Sequence, residues 1–169
     1  MFNQFAAPMI SVALAGLMTY AGMARAEDKD VHWTALQAAK VSLESGLAKA
    51  QQKGKPISGR FEMEDGKLQL STYTATKGKF SEVIVDHTSG KIVKTEEIKE
   101  GEDYKDATAQ NKATAKAKRS LRSAVAKAVA ANPGYRALSA LPSLEQGKPV
   151  ATVMLQKGAD KKTVAEKLD

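Results

Sequence analysis

Residues 83–93, "VIVDHTSGKIV", place two short β-branched segments on either side of a polar stretch that begins at Asp86 and ends at Lys91. Such segments around a polar, glycine-containing stretch predict two strands joined by a turn. Asp86 can accept backbone N–H bonds and Gly90 can adopt a positive φ, so both are expected as structural turn residues. The stretch also holds a histidine and two hydroxyl side chains. Neighbouring side chains of a turn point apart, and this favours a turn over a catalytic centre.

The residues before this turn predict one helix and three strands, and those after it predict a fourth strand. Apolar residues at helical spacing indicate a helix from residue 34 to 52, which Gly54 and Pro56 end. Alternating polar and apolar residues around Asp65-Gly66 are typical of a β-hairpin. The four strands are predicted at 57–64, 67–74, 80–85 and 91–98.

The second half repeats this plan in shorter form. A helix is predicted from residue 106 or 108 to about 131, and strands at 135–145, 149–156 and 162–169. Aligning Val85-Asp86 with Leu168-Asp169 ends the second copy where the first enters its turn. We therefore expect an α+β protein of two helix-plus-antiparallel-sheet repeats. The second sheet should have three strands and an edge that the first sheet lacks.

The first 26 residues differ from the rest in composition. They contain no acid, one base and an apolar stretch from Ile10 to Tyr20, which is too short to span a bilayer. Ala24 and Ala26 fit the small-residue rule for signal-peptide cleavage, although the segment before the apolar stretch carries no Lys or Arg, which leaves an uncleaved anchor as an alternative. The predicted divisions are a signal peptide at 1–26, repeat 1 at 27–98, an acidic linker at 99–106 and repeat 2 at 107–169.

Export and composition narrow the function classes. The cleavage pattern indicates a bacterial periplasmic or secreted protein, in which nucleic acid is not the expected partner despite a formal net charge of +7. The chain has no cysteine, and this excludes disulfides, thiolate nucleophiles and cysteine-based metal sites.

The strand ending in Val83, Val85 and Asp86, followed by a hydroxyl residue, Gly90 and Lys91, resembles the signature of the PepSY domain family. The resemblance covers residues 31–98, and it extends to 106–169 only through the order of elements. It implies a PepSY/cystatin-like fold and a non-enzymatic role, namely inhibiting or modulating peptidases. Some exported tandem PepSY proteins are similar in layout and bind lanthanide ions.

No motif of an enzyme is present, because GxSxG, HExxH and P-loop patterns are all absent. No cofactor is expected. As an alternative, calcium or a lanthanide ion could be held by carboxylate oxygens. Two acid clusters are candidates for such a site, although a solvated surface is the simpler interpretation of each: Glu62, Glu64 and Asp65; and Glu96, Glu97, Glu100, Glu102, Asp103 and Asp106.

The predicted second helix is amphipathic, with a cationic outer face opposite an alanine-rich one. Lys112, Lys116, Arg119 and Arg122 lie on that face and are the candidate partner-binding residues. They fit an acidic protein surface or anionic lipid, although a merely solvated face is the alternative. The alanine-rich side does not favour membrane association. The open strand edge could accept an extended peptide segment, pair with the other half of the chain, or form a homodimer.

Overall fold

The structure, a computed structural model, describes residues 31–169, so the predicted signal peptide with Ala24 and Ala26 lies outside the described residues. Four helices and seven strands follow one another in the order two helices, four strands, two helices and three strands. They are α1 (Trp33–Ala38), α2 (Leu43–Ala50), β1 (Lys55–Glu64), β2 (Lys67–Thr76), β3 (Lys79–Val85), β4 (Ile92–Ile98), α3 (Gly101–Lys116), α4 (Leu121–Ala130), β5 (Arg136–Glu145), β6 (Lys148–Lys157) and β7 (Asp160–Lys167).

The seven strands form one antiparallel sheet in the order β4-β3-β2-β1-β5-β6-β7. The α+β class is therefore confirmed, and three strands follow residue 134 as predicted. The expectation of two separate sheets is wrong, because the first strands of the two halves pair with each other. That junction is short, with Gly59 opposite Ala140 and Arg60 opposite Ser139. Pro142, which has no N–H to donate, lies just beyond it.

Each of the two predicted long helices is in fact a pair of shorter helices. The helix predicted at 34–52 is interrupted between Ala38 and Leu43, and the second is interrupted between Lys116 and Leu121. The second pair also begins earlier than predicted, because α3 starts at Gly101, inside the stretch 99–106 that was expected to be a linker.

Both interruptions have the same cause, a backbone carbonyl that captures two amides of the chain. The N–H groups of Lys40 and Val41 donate to the His87 carbonyl, each at 2.9 Å. In the second half the N–H groups of Lys118 and Arg119 donate to the Leu168 carbonyl, at 2.7 and 2.9 Å. Leu168 thus takes the place of His87. The sequence alignment of Leu168 with Val85 is wrong by two residues.

A serine then restarts the helix in each half. The Ser42 hydroxyl accepts from the Ser45 N–H at the start of α2, and Ser120 accepts from the Ser123 N–H at the start of α4. These are N-caps, which satisfy amides that have no partner within a helix.

The two faces of the sheet carry different helices. Helices α2 and α4 cover what we call the helical face, where Phe61, Leu70 and Val153 belong to the main core. Tyr73 lies three positions after Leu70 and so points to the opposite face, where it packs with Ala107 of α3. Helix α3 therefore lies on the face of the sheet opposite to α2 and α4.

The halves also cap each other's helices. The Arg136 guanidinium at the start of β5 donates to the carbonyls of Gln37 and Ala39 at the end of α1, at 3.2 and 2.9 Å. The Lys55 ammonium at the start of β1 donates to the Thr114 carbonyl near the end of α3, at 2.6 Å. Cations stabilise helix C-termini, so each half holds the first helix of the other in place.

Candidate partner-binding surface

The four basic residues predicted to share one helix face are divided among three elements. Lys112 and Lys116 lie one turn apart on α3, Arg119 lies in the interruption between the helices, and Arg122 lies on α4. All four side chains are exposed. They therefore form a surface that bends around the end of the sheet, and the expected single stripe is wrong.

The segment Ala117–Ser120, which we call the basic connector, is hydrogen-bonded to the chain just beyond β7. Ala117 has an extended backbone with ψ 135°, and the next two amides bind the Leu168 carbonyl just beyond β7. The Lys116 ammonium lies 3.4 Å from the Gly147 carbonyl in the turn between β5 and β6. The connector thus places Lys118 and Arg119 beside the C-terminal end of the edge strand β7.

Net charge is divided unequally between the two halves. Residues 31–106 contain 12 bases and 12 acids, whereas residues 107–169 contain 12 bases and four acids, a formal net charge of +8. Among residues 31–169, Lys112, Lys116, Lys118, Arg119 and Arg122 form no ion pair. The positive charge is therefore concentrated on the second half, and no carboxylate of the described residues lies within ion-pair distance of these five bases.

A shallow open groove separates α2 and α4 on the outer side of the molecule. Small residues line it, together with Glu44, Lys49 and Arg122. Arg122 lies just after the basic connector in the chain and also lines this groove. The groove itself contains no buried polar group that would fix a small ligand.

Residues 86–91 form a turn that is held by hydrogen bonds among its own residues. One Asp86 carboxylate oxygen accepts from the amides of Thr88 and Ser89, at 3.2 and 2.6 Å, and Gly90 has φ 72°. Hydrogen bonds from Ser89 lower the pKa of Asp86. The His87 carbonyl interrupts the first helix pair, as described above. This turn therefore closes the sheet and fixes the helices.

The carboxylates proposed as metal ligands are dispersed and mostly paired. Glu96 binds Lys94 at 2.9 Å, Glu102 binds Lys105 at 2.7 Å, and Glu97 lies between Lys79 and Lys99 at 3.5 and 3.6 Å. Within residues 31–169 there is no group of three or more histidine or acidic side chains placed to hold a metal ion. No feature of these clusters distinguishes a cation site from a solvated surface.

Two acids instead belong to a polar contact between α3 and the sheet. The Tyr73 hydroxyl donates to Asp103 at 2.8 Å, and the Arg60 guanidinium lies 6.0 Å above the Tyr73 ring. Arg60 also binds Glu62 at 2.9 Å. Burial raises the pKa of Glu62 in spite of that guanidinium, and burial also raises the pKa of Tyr73. These residues anchor α3 on the sheet.

The clearest internal repeat is one that the strand-based alignment missed. Residues 40–50, "KVSLESGLAKA", and 118–128, "KRSLRSAVAKA", agree at seven of eleven positions. In each half this segment contains the two amides that bind the distant carbonyl, then the capping serine, then the second helix of the pair. Comparing the chain with itself at a spacing of 78 residues would have revealed that these two segments correspond.

Comparisons with known proteins place few limits on function. No family model matches the chain, and no curated protein matches it. A crystal structure of a "putative lipoprotein" from Clostridium difficile 630 is similar at 9% sequence identity and a TM-score of 0.45, and the match covers 78% of this chain and 88% of that chain. Over residues 31–169, none of the helices has the length and apolar character needed to cross a bilayer.

Proposed function

We propose that this protein is a non-enzymatic, exported binding protein of PepSY type that inhibits or modulates a periplasmic protein such as a peptidase. The resemblance of residues 83–93 to the PepSY signature and the signal-like residues 1–26 support this class and location. The observation that carries the binding role is the separation of charge, with a net charge of +8 on residues 107–169 and none on residues 31–106.

Such a surface selects partners by charge. Exposed, unpaired bases on one side of a protein attract an acidic partner over long distances and orient its approach. The basic connector gives this attraction a fixed geometry, because Lys118 and Arg119 are held by backbone hydrogen bonds to Leu168. An acidic protein surface is therefore the expected complement.

A binding assay with a thermolysin-like metallopeptidase tests this function. The protein without residues 1–26 is titrated into the purified peptidase, and complex formation and peptide hydrolysis are measured at low and high salt. The test variant reverses three bases of the surface: Lys116→Glu, Arg119→Glu and Arg122→Glu. The matched control reverses three exposed lysines of the first half, Lys40→Glu, Lys53→Glu and Lys67→Glu, and so changes the net charge equally.

We expect salt-sensitive binding that slows hydrolysis, with the test variant at least about tenfold weaker than the control, since charged interface groups govern association at low salt. Equal loss in both variants would show that net charge alone matters and would overturn the assigned surface. No complex at any salt concentration would remove peptidases of this class as partners.

A further inference from the structure

Strand β7 has an outer side on which no other strand lies within residues 31–169. The Leu168 N–H donates inward to the Pro149 carbonyl. In an antiparallel pair, inward and outward hydrogen-bonding groups alternate along the strand. The N–H and C=O groups of Thr163, Ala165 and Lys167 therefore point away from β6, and the side chains of these residues are exposed as well.

This edge is regular, unlike the opposite edge of the sheet. The β6–β7 pairing runs without a register shift from Lys157–Asp160 to Val150–Lys167. The β3–β4 pairing is shifted between Ile84 and Val85. Bulges are one way in which proteins protect an edge from additional strands. Strand β7 has no such bulge and no proline, so its outward groups can form a continuous ladder.

The first half has a strand at the position that is open beside β7 in the second half. The hairpins match at a spacing of 81 residues, so β7 corresponds to β3, and the place outside β7 corresponds to that of β4. In the first half, Ile92 of β4 lies opposite Val85. In the second half, Glu166 occupies the place of Val85 and binds Lys127 at 2.6 Å. The second half therefore has a buried acid, paired with a lysine of α4, at the position where the first half has the buried Val85.

We propose that β7 binds an acidic, extended segment of the protein partner, which adds antiparallel to it as an eighth strand in the place that β4 has beside β3. The proposal rests on the proposed function and names its binding mode. The net charge of +8 on this half and the basic connector beside Leu168 favour an acidic segment. A second copy of the same edge would bring like charges together.

The two faces of the edge demand different side chains from the segment. Lys167 lies on the face opposite the helical one, and an acid beside it is favoured. Glu166 points to the helical face, where a second carboxylate would be repelled and a neutral residue is accepted. An alternating segment, acidic on one face and neutral on the other, satisfies both. This pattern is the expected recognition motif.

The test uses two synthetic peptides of eight residues with the same composition. One alternates glutamate and threonine, and the other has four glutamates followed by four threonines. Binding is measured by isothermal titration, and amide hydrogen exchange reports on the outward N–H groups of β7. The edge variant is Ala165→Pro, which removes one outward N–H without breaking a β6–β7 hydrogen bond. Ala165→Val keeps the N–H and is its control, with circular dichroism confirming the fold of both.

We expect the alternating peptide to bind about fivefold to tenfold more tightly than the block peptide, since only the first places every acid on one face of a strand. The alternating peptide should slow amide exchange at Thr163, Ala165 and Lys167. Ala165→Pro should weaken the binding of this peptide by a similar factor. Equal, salt-sensitive binding of both peptides without slowed exchange would overturn strand addition and leave charge-based binding standing. A concentration-dependent dimer that protects the same amides without peptide would make a second copy the occupant and also overturn the proposal.

Discussion

Replacing Thr72 with valine should stabilise the protein. Thr72 lies on β2 in the helical face, is fully buried, and its hydroxyl has no hydrogen-bond partner. A buried hydroxyl without a partner costs about 1–3 kcal/mol, and valine has nearly the same shape without the polar atom. At the corresponding place in the second half, 81 residues later, the chain has Val153, which is also fully buried.

We expect Thr72→Val to raise the free energy of unfolding by about 1 kcal/mol, which for a chain of this size is a rise of about 3 °C in Tm. Urea denaturation followed by circular dichroism measures it. The matched control is Thr74→Val on the same strand, because the Thr74 hydroxyl donates to the Ser81 carbonyl at 3.3 Å. The control should be neutral or destabilised. A stability gain in both variants, or in neither, would refute the reasoning from the unpaired hydroxyl.

Three further predictions concern charged contacts. Arg136→Ala should lower the free energy of unfolding by about 1–2 kcal/mol, because two carbonyls at the end of α1 lose their hydrogen-bond donor. Arg136→Lys should lower the free energy of unfolding by less. Lys127→Ala leaves the buried Glu166 unpaired and should cost about 2 kcal/mol, and adding Glu166→Val should restore most of it; urea titrations of all these variants check both expectations. Glu62→Gln should be more stable than the native chain near pH 7, because a carboxyl group whose folded-state pKa is raised opposes folding when ionised. That advantage should shrink as the pH falls through the raised pKa, and a pH series of melting curves would contradict it if the difference stayed constant.

Patterns with a local cause could be predicted from the sequence. Asp65-Gly66 adopts φ of 49° and 72° in the hairpin between β1 and β2, as the dipeptide predicts. The helix interruption at residues 39–42 has no comparable signal, because it contains neither glycine nor proline. It depends on the carbonyl of His87, which is distant in sequence. The pairing of β1 with β5 is equally non-local, and it decides that there is one sheet.

The sequence pattern predicted that the four bases of the candidate surface share one helix face, whereas the structure divides them among three elements. Lys112 and Arg122 lie on one face only if residues 107–131 form a continuous helix, and the Leu168 carbonyl breaks that helix. The start of α3 was missed for a different reason. Glu102 and Asp103 form part of a charge-rich stretch that resembles a linker, yet acids in the first turn stabilise a helix N-terminus.

The two halves correspond in their interiors and differ at the edge of the sheet. Their interiors correspond, because each has a carbonyl that accepts from two amides, a capping serine and a helix of similar sequence. At the corresponding edge positions the halves diverge: Val85 faces Ile92 in the first half, whereas Glu166 binds Lys127 in the second. Within residues 31–169 the sheet ends at β7, with this ion pair beside its last strand, and no other strand lies against the outward backbone groups of β7. The same half carries the whole net charge of residues 31–169, so the open edge of the sheet and the positive charge lie on one part of the molecule. The fold does not need these two features to occur together, and the proposed binding mode uses both.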